Sequence, residues 1–158
     1  MLKELFNIPE GILGDLHQDH EEISSLMENL LQAKTGEERL PLFKDMMHKL
    51  LVHAHAEQDV LYRKMKRSYD ERARAFAYEG DNEHQIVEHQ LEQLLHARNK
   101  ASERWTAQAM VLSDLIDHHV REEEGEGFSC ARREFDAAAL EQLGEQFRRQ
   151  TAKLLAQA

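Results

Sequence analysis

The chain has 158 residues, 41% of them hydrophobic, which is enough for one domain with a single sizeable core. Its formal net charge of -10, carried by charged residues spread along the whole length, argues against a surface that tracks phosphate, so nucleic acid is not an expected partner. No apolar run approaches the roughly 18 residues of a membrane helix, the start MLKELFNIPEGIL lacks a signal peptide's apolar segment, and the lone Cys130 cannot close an internal disulfide, so a cytoplasmic setting is expected.

Scarce glycine and proline, with abundant Leu, Ala, Glu, Gln, Arg and Lys, predict helix almost everywhere. Residues 1–8 read as a short arm, and Pro9 suits the first turn of helix one because its missing N–H would be unpaired there. That helix runs to about Lys34 on a stripe of Leu13, Leu16, His20, Ile23, Met27 and Leu30, in which His20 is the one polar member. His17 lies on its flank, at a surface or supporting position. Thr35 and Glu38 form a capping box that opens helix two, about 36–67. Its stripe continues from Phe43, Met46 and Leu50 to His53, Glu57, Leu61 and Met65. His55 and Asp59 copy the spacing of His53 and Glu57, but two residues turn a helix by about 200°, so only one pair faces inward and the stripe selects His53 and Glu57.

Ser68 and Glu71 form a second capping box, predicting a helix from Tyr69 to about Lys100, softened near Gly80. His84, Val87, Leu91 and Leu94 face inward, with Glu88 four residues after His84; His89 faces solvent, and His48 and His96 read as surface residues. Ser102 starts a fourth helix along Trp105, Gln108, Leu112, Leu115, His119 and Glu123, with His118 on its flank and Glu122 and Glu124 solvated. Gly125 and Gly127 are expected to break it, letting Phe128 fold back onto the bundle end. Residues 134–157 give a last amphipathic helix through Leu140, Leu143, Phe147, Thr151 and Leu154, a lid or buttress without an inward histidine or acid. The expected architecture is all-α: an up-down antiparallel four-helix bundle over about 9–128, with an additional C-terminal helix over about 134–157, in one domain spanning 1–158.

A polar group buried without a partner costs roughly 1–3 kcal/mol, and more when charged. Inward histidines and acids therefore need either each other or a metal ion. The recurrence on four helices of His20, His53 with Glu57, His84, and His119 with Glu123 favours the metal, because such residues converge in a bundle. Imidazole and carboxylate ligands suit iron, manganese or zinc, and two carboxylates on facing helices fit a dinuclear site better than a mononuclear one. None of the ten histidines follows a glutamate by three residues, so the Glu-x-x-His pattern of ferritin-like bundles is absent.

Here the spacing is His-x-x-x-Glu, and DHEEI at 19–23, HAHAEQDVLY at 53–62, EHQIVEHQLEQLL from Glu83 and HVREEEGEGF at 119–128 resemble the hemerythrin-like, or HHE cation-binding, domain family. The resemblance covers nearly the whole chain. It implies two carboxylate-bridged non-haem iron ions, ligands His20, His53, Glu57, His84, His119 and Glu123, and a small ligand such as O2, peroxide or NO in iron or oxygen handling or sensing. The alternatives it leaves are a di-iron redox enzyme, an iron donor in iron–sulfur repair, or a helical interaction module with a decayed site. One departure stands out: where oxygen carriers of the family place a fifth histidine four residues after the third-helix ligand, this chain has Glu88. Glu88 is therefore an additional candidate ligand, whose charge would favour oxidised iron and weaken reversible oxygen carriage. His89 supplies a fifth nitrogen only if the helix is locally irregular.

Overall fold

A computed structural model describes residues 9–157, so the arm expected over residues 1–8 lies outside the described residues. Among the described residues there are five helical rods and no strand. Rod α1 spans Ile12–Gln32 and starts after Gly11, so Pro9 precedes the helix instead of occupying its first turn. Rod α2 begins as Gly36–Glu57, widens into a π-helical turn at Gln58–Tyr62 and ends at Arg63–Met65. Its start is the predicted capping box: Thr35 Oγ1 accepts from the Glu38 N–H at 3.2 Å while the Glu38 carboxylate accepts from the Thr35 N–H at 3.3 Å.

Rod α3 spans Glu71–His96, shorter at both ends than expected. Asp70, not Ser68, caps it, accepting from the Arg72 N–H at 2.9 Å; a carboxylate placed directly before the first helical residue also suits the positive helix end. Ser68 instead accepts from the Asp70 N–H and donates to Glu134. Gly80 does not soften the rod: the Tyr62 ring occupies its open side, within 2.6 Å of where a Cβ would stand.

Rod α4 comprises Glu103–Glu122, a second π-helical turn at Glu123–Gly127, and Phe128–Glu134. Gly125 and Gly127 thus widen the helix without breaking it. Gly127 is needed for packing, since a Cβ there would meet the Phe76 ring at 2.5 Å. The buried face of α4 runs through Trp105, Ala109, Leu112, Ile116 and His119, so Ala109 and Ile116 take the places expected of Gln108 and Leu115. Rod α5, Ala137–Gln157, buries Leu140, Leu143 and Phe147. No helix among the described residues is long and apolar enough to cross a membrane.

Two apolar clusters show how the rods run. One holds Leu13 and Leu16 of α1, Leu61 and Tyr62 of α2, Phe76 and Ala77 of α3, Phe128 of α4, and Leu140 and Phe147 of α5. The other holds Leu30, Phe43, Leu94 and Trp105 from the opposite ends of the first four rods. Along α1 and α3 the chain passes from the first cluster to the second, and along α2 and α4 it returns, which is up-down antiparallel topology. Between the clusters lies a layer of buried His20, His53, Glu57, His84, His119 and Glu123.

Candidate metal centre

Each inward residue reaches that layer by the helical phase of its own rod, and the six form two groups. His20, His53 and Glu123 bring one ligand atom each to within 4.8 Å of one another, and so do Glu57, His84 and His119. The carboxylates straddle the groups. Glu123 has Oε1 3.3 Å from His20 Nε2 and Oε2 3.4 Å from His119 Nε2, while Glu57 Oε2 lies 3.4 Å from His84 Nε2 and 3.9 Å from His53 Nε2. Two donors that share one ion at about 2.1 Å stand roughly 3–3.5 Å apart, so the spacings fit two ions with a carboxylate reaching both.

The unpaired atoms point the same way. His20 Nε2, His53 Nε2, both oxygens of Glu57 and Glu123 Oε1 are buried with no hydrogen-bond partner. A stack of histidines and acids satisfied by one another would not leave so many donor atoms orphaned in one layer. The residues present therefore fit a pair of cations.

Three of the histidines are held from behind. His20 Nδ1 donates to Glu124 Oε1 at 2.8 Å, His53 Nδ1 to Asp19 Oδ2 at 3.0 Å, and His119 Nδ1 to Glu83 Oε2 at 2.6 Å. A carboxylate only accepts, so each bond fixes the proton on Nδ1 and turns Nε2 inward, the usual carboxylate–histidine support of a metal ligand. Glu124, expected to be solvated, is thus a partner of His20 and also of His17, while Lys49 steadies Asp19. Asp19 and Glu83 were missed by stripe reasoning, although each directly precedes an inward histidine and so lies about 100° around the helix, facing the neighbouring rod.

Tyr62 was missed as well. The wide turn after Glu57 carries its fully buried ring into the layer, where Oη donates to Glu123 Oε2 at 2.6 Å and the ring stacks on His84. Phe147 of α5 covers the other side, its ring centre 6.2 Å from that of His53, which makes the last helix a buttress of the layer.

Glu88 enters neither group. Its Oε1 accepts from His55 Nε2 at 2.5 Å across the α2–α3 seam, leaving both side chains partly exposed. His89 is exposed and bonded to Gln93, and α3 is regular around it, so it supplies no inward nitrogen. Toward the second apolar cluster the layer opens on a cavity of about 20 Å³ lined by Ile23, Leu50, Ala54, Val87, Ile116, the four buried histidines and Glu88. That is room for one water-sized or diatomic molecule.

Electrostatics place protons where cations would sit. Burial works against charging His20 and His119, yet the carboxylates of Glu123 with Glu124 and of Glu123 with Glu83 outweigh it and push both up to about 9. Burial and the neighbouring His119 hold His84 down to about 3. His53 is lowered by burial, against the pull of Asp19. Burial and the adjacent Glu123 push Glu57 well up; Glu123 is itself desolvated, but the imidazoles of His119 and His20 beside it carry it well below the usual carboxylate range. Imidazolium protons on His20 and His119 thus offset the buried carboxylate charge of the layer.

The family profile described as Hemerythrin HHE cation binding domain matches residues 11–131. A protein of Nostoc sp. named DNA nickase is 25% identical over 139 residues, which are 88% of this chain and 38% of that protein. The chain thus spans well under half the length of that relative. No solved structure matches.

Proposed function

The chain belongs to the hemerythrin family of HHE cation-binding domains, and on that footing we propose that it holds two non-haem iron ions in the cytoplasm and uses them to meet O2, peroxide or NO in iron or oxygen handling or sensing. The observation that carries the reading is the pair of buried two-histidine, one-carboxylate groups, joined by Glu123, which sets one oxygen beside each. Iron held by these residues would supply one-electron redox chemistry and a centre for a small ligand to meet. Manganese and zinc suit the same atoms, so metal identity belongs to the test.

The protein's own residues do the rest. His20, His53, His84 and His119 turn Nε2 inward, Glu123 would serve both positions and Glu57 the one beside His84, and Tyr62 keeps a proton at Oη against Glu123. The apolar cavity admits a small uncharged molecule and disfavours ions, whose desolvation is expensive. A catalytic form of the same reading, a redox enzyme acting on peroxide or NO, is favoured by the buried phenol of Tyr62 beside the carboxylates. The net charge of -10 weighs against a phosphate-tracking surface, so the reading does not extend to the activity in the Nostoc relative's name.

Protein refolded anaerobically with ferrous iron should retain about two ions per chain after desalting and change its absorption on mixing with O2. Retention of none would sink the reading and leave a helical module with a decayed site. Sustained turnover of peroxide or NO, beyond one event per site, would select the catalytic form.

A further inference from the structure

The two hairpins of the bundle repeat one polar pattern. The first reads Asp19-His20 on α1, then His53, Glu57 and Gln58 on α2; the second reads Glu83-His84 on α3, then His119, Glu123 and Glu124 on α4. Asp19 and Glu83 play matching parts, each supporting the second histidine of its own hairpin. Glu124 crosses to support His20, the first histidine of the other hairpin. Its counterpart, which would cross to His84, is Gln58. The repeat fails there, and His84 Nδ1 is buried without a hydrogen-bond partner.

A second asymmetry acts in the same direction. Tyr62 donates to Glu123 Oε2, the oxygen on the His119 side, and so draws electron density from it, whereas Oε1 on the His20 side has no donor. The matching residue five after Glu123 is Phe128, which has no hydroxyl to give Glu57. Both histidines of the His20–His53–Glu123 group are thus backed by carboxylates. In the Glu57–His84–His119 group only His119 is, and the carboxylate oxygen lent to it by Glu123 is already hydrogen-bonded.

We propose that the two metal positions are unequal, the ion held by Glu57, His84 and His119 binding more weakly and leaving first. The inference rests on the two-ion reading above. Removing one partner of a ligating histidine typically costs 10–100-fold in metal affinity, which sets the gap expected between the positions. Asp19, Glu83 and Glu124 are positioning residues in this scheme, acting on the ions only through the imidazoles they orient.

The experiment is a titration of anaerobically iron-loaded full chain with a coloured ferrous chelator, alongside its variants. Two steps of one ion each are expected, separated by about 10–100-fold in chelator concentration. His84→Ala should erase the easier step and keep the harder one. Asp19→Asn, which weakens support for His53 in the tighter group, should narrow the gap by lowering the tight step. Gln58→Glu, a change on the partly exposed side of α2, should narrow it from the other side by strengthening the weak one. A single step for both ions, erasure of the harder step by His84→Ala, or an unchanged gap in both Asp19→Asn and Gln58→Glu would overturn the inequality alone. Wild-type protein that retains no ion refutes the two-ion reading and this inference with it.

Discussion

Metal binding at this layer should release protons, and the number follows from the metal-free electrostatics. With His20 and His119 each held at about 9, both imidazoles are charged at pH 7. Their Nδ1 protons stay on the rings, donated to Glu124 and Glu83, so the protons displaced by cations are those on Nε2. His84, at about 3, and His53, lowered by burial, release none at neutral pH, while the raised Glu57 adds any proton it holds. About two protons or more should therefore leave per pair of ions, and the apparent affinity for each ion should rise roughly 10-fold per pH unit between pH 7 and 8, flattening as pH passes 9. Metal-free stability has the opposite sign over that range: a histidine raised in the folded state stabilises fully below its unfolded value of 6.5 and loses that contribution as pH climbs through about 9. The metal-free melting temperature should thus fall from pH 7 to 9 while metal affinity grows. Calorimetric titration in two buffers of different ionisation enthalpy counts the protons. Release of fewer than one proton at pH 7 would refute the proposed protonation of the layer.

Two further outcomes check the geometry. Glu88→Ala and His55→Ala should each keep both ions because the pair bonds across the α2–α3 seam outside the ligand groups, whereas His53→Ala should lose metal and the melting increment that bound metal gives; metal loss in Glu88→Ala would restore Glu88 as a ligand. Gly80→Ala should destabilise by about 1–3 kcal/mol in chemical denaturation, since its Cβ would stand 2.6 Å from the Tyr62 ring, and a cost near zero would show that the ring moves freely.

What was legible in the sequence was whatever a regular 3.6-residue period determines. The stripes through Leu13 to Leu30 and Phe43 to Leu50 picked the inward face of α1 and α2, and with it His20, His53 and Glu57; the same phase set His84 and His119 apart from His89 and His118. Where the period changes, Leu61 and Met65 are still buried as the stripe expects, but the reading is incomplete for a definite reason. A π-helical turn inserts one residue, so everything after Glu57 and Glu123 is rotated relative to the stripe that led up to it. That rotation carries Tyr62 against Glu123, and it keeps Gly125 and Gly127 within a continuous rod where glycine spacing alone predicts an end.

The supporting carboxylates were hidden for a different reason. Asp19, Glu83 and Glu124 each sit one residue from an inward member of the layer, a flank position that looks like solvated charge from within a single helix, and they acquire a role only once a second rod is beside them. The expectation for Glu88 failed by the same logic in reverse. Four residues after His84 it lies on nearly the ligand face, but the carboxylate turns to the nearest donor on α2, His55, and remains partly hydrated. Entry into the layer would have placed a third carboxylate beside Glu57 and Glu123, and burying that charge costs more than a hydrogen bond at the seam. Charge near the candidate ions is thus set by which neighbouring rod supplies a partner, which periodicity within one helix does not encode.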